Sequence, residues 1–139
     1  MKKKILLVCF LFFVLISFKS YNRKVVDVEI GQSSIFSKEE INNAVETVKN
    51  QFSFDGAALT KIWYDQEKDY HLSESYLTNG KGSTNNSKKE NTIVLLSNFD
   101  VGFFGVSPAL NANSTYSDYQ WVLIRDSQTD SWRIDDSGY

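Results

Sequence analysis

The sequence predicts an α+β fold: one N-terminal amphipathic helix packed on a curved antiparallel sheet of about four strands. Three observations carry the prediction. Ile41, Ala44, Val45, Val48 and Phe52 recur at the 3.6-residue period of a helix with a single apolar face. Residues 58–65, 91–99, 119–126 and 131–136 are runs rich in branched and aromatic side chains, as strands are. The last two runs are separated by Ser127-Gln128-Thr129-Asp130, which has the composition of a hairpin turn. One helix laid across the sheet is the simplest way to bury both apolar faces.

Each element has a local reason. Ser37-Lys38-Glu39-Glu40 reads as a capping box: the Ser37 hydroxyl meets the Glu40 N–H while the Glu40 carboxylate reaches back to the Ser37 N–H. Phe36 and Ile41 flank that cap as a hydrophobic staple, and Asn42, Asn43, Glu46, Lys49 and Asn50 form the wet face. The helix is expected to end before Asp55-Gly56. Residues 21–34 read as a linker that contributes at most a short strand at 25–30. Leu59, Ile62, Trp63 and Tyr64 mark the first large strand, closed by the polar cluster Gln66, Glu67 and Lys68. Residues 69–78 read either as a short helix or as an irregular edge. Residues 81–90 hold Gly, Ser, Asn and Lys with no apolar residue and read as a solvated loop. The near-continuous apolar run at 91–99 reads as a central strand.

The chain of 139 residues has room for one domain at 35–139. Before it, Lys2, Lys3 and Lys4 precede 14 residues, 5–18, that are apolar apart from Ser17. That is the pattern of a signal-peptide core, short of the ~20 residues that span a bilayer comfortably. Residues 1–20 are therefore expected to drive export, as a cleaved signal peptide or as a retained anchor. Only Ser17 and Ser20 supply small residues for a cleavage site. Cys9 lies in the middle of the apolar run and reads as one more hydrophobe. The expected location is extracytoplasmic, secreted or anchored through residues 5–18.

Charge narrows the partners. The chain carries 15 basic and 17 acidic residues; residues 1–20 hold Lys2, Lys3, Lys4 and Lys19 and no acid. That leaves 11 basic against 17 acidic, a net charge of −6. So acidic a domain is a poor binder of nucleic acid, whose phosphates are met by Lys and Arg. Membrane contact is expected through the N-terminal segment only, and a protein partner stays open.

The runs Phe36-Ser37-Lys38-Glu39-Glu40-Ile41, Leu59-Thr60-Lys61-Ile62-Trp63-Tyr64-Asp65, Trp121-Val122-Leu123-Ile124-Arg125-Asp126 and Trp132-Arg133-Ile134-Asp135-Asp136-Ser137-Gly138-Tyr139 resemble a group of small exported proteins of Gram-positive gut bacteria. These are known only as domains of unknown function, and the resemblance covers most of residues 30–139. The closing strand pair, with a Trp in each strand, also resembles the end of cystatin-like and nuclear-transport-factor-2-like domains. The chain departs from the exported group at Ala57, often Cys there, and at Ser137, often Trp. Neither resemblance implies an activity, and no functional residue is carried over.

The residues themselves offer little catalysis. His71 is the sole histidine and has no neighbouring Cys, so it reads as a loop histidine rather than a ligand or base. No Gly-x-Ser-x-Gly elbow occurs, and Gly80-Lys81-Gly82-Ser83 is not followed by the helix a phosphate site needs. Asp126, Asp130, Asp135 and Asp136 cluster without EF-hand spacing. Asp135 and Asp136 are expected on opposite faces of one strand, so that one of them alone faces a pocket and pairs with Arg125 or Arg133. The expectation is therefore non-enzymatic, with no cofactor and no metal.

Two features remain as candidate surfaces. Residues 100–117 are eighteen residues without clear period, with Phe103 and Phe104 between Gly102 and Gly105. They read either as a tip offered to a partner or as a loop folded back over the sheet. Tyr64, Trp121, Asp135 and Asp136 are the groups that would line a pocket between helix and sheet, although aromatic strands are equally what an ordinary core looks like. Three functions follow: a binding or accessory protein at the cell envelope, a small-molecule-binding or enzymatic cone-shaped domain, or an immunity or inhibitor protein acting through the 100–117 loop.

Overall fold

A computed structural model describes residues 25–139; the leader at 1–20, with Cys9, and residues 21–24 lie outside the described residues. Strand β1 (Asp27–Ile30) leads into helix α1 (Lys38–Gln51), strand β2 (Ala57–Tyr64) and helix α2 (Gln66–Asn79). Strands β3 (Thr92–Val101), β4 (Ser114–Ile124) and β5 (Arg133–Gly138) complete the chain. The five strands lie in sequence order across one mixed sheet. β1 and β2 are parallel, while every later pair is antiparallel. No tight turn closes a parallel pair, and α1 supplies the crossover.

The class is α+β, but one N-terminal helix on four antiparallel strands is corrected to two helices and five strands. β1 is the short strand that the linker was expected to contribute within 25–30; it precedes α1 and pairs along the outer edge of β2. Four residues with Val and Ile alternating against Asp and Glu are too few to declare a strand by pattern. Their pairing partner decides it, helped by Lys61, which reaches Glu29 at 2.6 Å and Asp27 at 4.0 Å across the two strands.

Of the two readings of residues 69–78 the helix holds, and it is longer than expected, running from Gln66 to Asn79. Asp65 closes its N-terminus by accepting the Lys68 N–H at 2.9 Å. Its buried residues are Asp69, Ser73 and Tyr76, at helical spacing but largely polar, so the apolar period that betrays a helix is missing. The loop at 81–90 holds two short 3₁₀ turns, Lys81–Ser83 and Lys89–Asn91, and Gly82 is buried against the Tyr76 ring.

Residue alternation sends the two helices to opposite faces. Ile93, Leu95, Trp121 and Leu123 meet Ile41, Ala44, Val45 and Val48 of α1. Val94, Val122 and Ile124 face Tyr76, Leu72 and Leu77 of α2. The capping box closes α1 as its sequence requires, at 3.2 Å from Glu40 N to Ser37 Oγ and 2.7 Å from Ser37 N to Glu40 Oε2. Beyond the C-terminus of α1, Phe52 and Phe54 fold onto Phe99, Tyr119 and Trp121, with ring centroids 5.3–6.1 Å apart. Edge-on and tilted ring packing of this kind fills the space between helix and sheet.

Candidate functional site

The segment at 100–117 is more ordered than expected. β3 runs to Val101 and β4 starts at Ser114, so Asp100 pairs with Thr115 and the loop shrinks to 102–113. Its base is tied to the turn after α1: Gly102 N donates to Gly56 O at 2.9 Å and Ser107 N to Asp55 O at 3.0 Å. Gly56 has φ +74°, and a Cβ there would come within 2.9 Å of Gly105 O. Val106, Leu110 and Tyr116 fold back over Leu59, Phe99 and Val101. Phe103 and Phe104 do not, and stand 69% and 91% exposed. The fold-back reading holds for the far half of the loop, which closes the end of the sheet, while the phenylalanine pair projects into solvent.

The other residues named from the sequence do not gather around a pocket. Trp121 is core, its Nε1 donating to Ser97 Oγ at 2.8 Å. Tyr64 is also buried, its hydroxyl 3.4 Å from Asp69 Oδ2 and 3.3 Å from Ser33 Oγ. Burial is the chief cause that pushes the Tyr64 phenol up to about 12.

Asp135 and Asp136 prove to share a face. A β-bulge opposite Val122 and Leu123 places an extra residue in β5 and breaks the strict alternation that would separate them. Asp135 Oδ2 accepts from Tyr76 Oη at 2.6 Å, and Lys81 Nζ lies 2.9 Å from Asp135 O and 3.3 Å from Asp136 Oδ1. Neither carboxylate pairs with the arginines proposed for it. Arg125 holds Glu40 at 2.7 Å, and Arg133 holds Asp126 at 2.9 Å.

Two further groups are more unusual: Asp69, which sequence reasoning passed over, and Arg125, which it named only as a partner for Asp135 or Asp136. Asp69 is 1% exposed, and its Oδ1 accepts the Val94 N–H at 2.7 Å. β2 ends at Tyr64, so this N–H has lost its strand partner, and the carboxylate stands in for it. Burial pushes the Asp69 carboxyl up to about 6, against the opposing pull of the Val94 N–H, Lys89 and the Tyr64 hydroxyl. Its only advance signal was the helix cap at Asp65.

Arg125 is the second. It lies under a polar cleft of about 500 Å³ lined by residues that include Ser37, Asn43, Thr47 and Asp130. Its guanidinium stacks 4.3 Å over Trp132, Nε donates to Asn91 Oδ1 at 3.3 Å, and Nη2 serves Glu40 and Glu90 O. Glu40 thereby closes the α1 cap and anchors α1 to β4; the Ser37 N–H first, then Arg125, holds its carboxyl below the usual range. His71, expected in a loop, lies on α2 and lines a separate groove between that helix and the sheet, over Leu72 and Leu96. Among the described residues, no cluster of three or more His, Cys, Asp or Glu is placed to hold a metal, and no helix is long and apolar enough to cross a membrane.

Fold and site together define an α+β domain with a filled core and a projecting apolar loop. The chain belongs to the family described as a domain of unknown function, DUF4829, whose model matches residues 17–138. Comparison with curated proteins and comparison with solved structures each gave no match.

Proposed function

We propose that this chain is an exported, non-enzymatic binding or accessory protein of the cell envelope, whose working end is the 102–113 loop. The observation that carries the reading is the exposed pair Phe103 and Phe104, held on a loop whose base is hydrogen-bonded to Asp55 and Gly56. Two adjacent phenylalanines in water, on a support that fixes them there, fit a surface that meets another one. The space in which a cone-shaped domain would hold a substrate is filled by Phe52, Phe54, Phe99 and Trp121. The apolar leader at 5–18 supports export. Kinship with cystatin-like or nuclear-transport-factor-2-like domains draws support from α1 lying across β2–β5, while α2 on the other face stands outside that scheme.

A photo-crosslinking amino acid at position 104 of the full chain tests this in cells, with position 129 at the opposite end of the sheet as reference and a periplasm- or surface-active reporter fused after residue 139. The expected outcome is an active reporter and adducts to envelope components from 104 but not from 129. An inactive, cytoplasmic reporter, or equal adducts from both positions, overturns the proposal.

A second reading rests on Arg125. Its Nη1 has no hydrogen-bond partner among the described residues and, since no buried side-chain nitrogen or oxygen there is left unsatisfied, it opens to solvent in the polar cleft. A small ligand offering a carbonyl or carboxylate fits that donor. Chemical shifts of the Trp132 indole N–H on addition of small carboxylates and amides check it, and their constancy removes the reading.

A further inference from the structure

We infer that the surface met by Phe103 and Phe104 is the lipid bilayer that retains the chain's own leader, so that the loop is a second point of membrane contact. This rests on the proposed working end and adds its target. The register carries the argument. β1 pairs from Asp27 opposite Lys61 to Ile30 opposite Tyr64, so it enters the sheet from the side where β2 begins. β2 begins at Ala57, opposite Val101, and Val101 lies opposite Ser114. The chain therefore arrives at β1 from the end of the sheet that carries the 102–113 loop. Val26, the residue before β1, packs against the cluster of Leu59, Phe99 and Val101 at that end.

The leader is close by in sequence. Residues 19–24 separate the apolar run from the described domain, and six extended residues reach about 20 Å. A leader retained in the membrane thus holds this end of the domain, rather than the turn at 125–132, towards the lipid. Lys19, Arg23 and Lys24 in the connecting stretch suit anionic headgroups.

The chemistry of the end agrees with its position. From Val101 to Ser117 there is no charged side chain, in a domain whose overall charge is strongly negative. A neutral tip avoids both the repulsion of anionic lipid and the cost of stripping water from a charge. Behind the phenylalanines lies a tyrosine shelf: Tyr139, 71% exposed, packs 6.4 Å from Tyr116 and 5.4 Å from Tyr119 between ring centroids. Rings with one apolar body and one polar tip favour the headgroup level. Asp55 and Asp100 sit at the base of the loop and limit insertion to its tip. At the opposite end the turn carries Asp126 and Asp130. The fixed base of the loop means that the phenylalanines enter lipid without a folding step.

The test uses the full chain in vesicles of phosphatidylcholine and phosphatidylglycerol. In a Cys9→Ser background, Phe104→Cys or Thr129→Cys carries an environment-sensitive nitrobenzoxadiazole dye, and lipids with a nitroxide near the headgroup act as quencher. The expected result is a blue-shifted emission at 104, quenched several-fold more strongly than at 129, with the difference reduced by Phe103→Ser. Equal quenching at the two positions, or none at 104, overturns the inference. If position 104 still gives protein adducts in cells while its dye stays unquenched, the working end stands and lipid as its target falls. Recovery of the domain free in the medium without residues 5–18 overturns the inference as well.

Discussion

Replacing Asp69 by Asn is expected to stabilise the domain at neutral pH and to leave it unchanged in mild acid. The folded Asp69 carboxyl is raised from 3.8 to about 6, so between those values the folded state binds the proton that the unfolded chain has released. Stability from this group is therefore greatest below about pH 4, declines as pH rises through about 6, and is flat above that. A shift of roughly two units corresponds to at most about 3 kcal/mol, since one unit is about 1.4 kcal/mol. Asn does not titrate, and it keeps an oxygen for the Val94 N–H. Ala keeps neither, and an orphaned buried N–H costs about 1–3 kcal/mol at every pH. Urea unfolding of the wild type, Asp69→Asn and Asp69→Ala between pH 4 and pH 8 separates these terms. The expected pattern is wild type and Asn together at pH 4, wild type falling below Asn by pH 7, and Ala below Asn throughout by a constant amount. Wild type and Asn running parallel across the whole range would refute the buried-charge argument, and Ala matching Asn would refute the role of Asp69 as a substitute strand partner.

Three further outcomes follow from the same structure. Arg125→Ala should cost about 2 kcal/mol, below the roughly 3–5 kcal/mol of breaking a fully buried ion pair because Glu40 keeps some contact with water; a shift of the urea midpoint measures it. Gly56→Ala should cost about 1–3 kcal/mol, since the position combines a positive φ with backbone atoms 2.9 Å from the new methyl, and amide exchange should quicken in the 102–113 loop. Phe103→Ser with Phe104→Ser should change stability by no more than about 0.5 kcal/mol, and an unaltered melting temperature checks that the pair is not part of the core.

Helix α1 was legible because two independent signals coincide in it: an apolar stripe from Ile41 to Phe52 and a capping box immediately before it. The central strand was legible because a strand covered on both faces needs no alternation, and 93–96 is an unbroken run of Ile, Val and Leu. Helix α2 stayed one of two readings because its inward residues, Asp69, Ser73 and Tyr76, satisfy their polar groups inside the protein rather than in water. A pattern of hydrophobicity cannot register a face that is buried by hydrogen bonding. The bulge in β5 was equally silent, and with it the shared face of Asp135 and Asp136.

By itself, then, the sequence determined what depends on neighbours in the chain: the α+β class, the first helix and its cap, the strong strands, and an uncharged loop containing two phenylalanines. Tertiary structure decided everything that depends on partners distant in the chain. Trp121 and Phe103 are both large aromatics, yet one fills the core and the other meets solvent, because exposure is set by what folds over a residue. Five strands rather than four, helices on both faces, and a carboxylate standing in for a missing strand arise in the same way. The unmet backbone and apolar groups of one segment are satisfied by another, and no local pattern states which one.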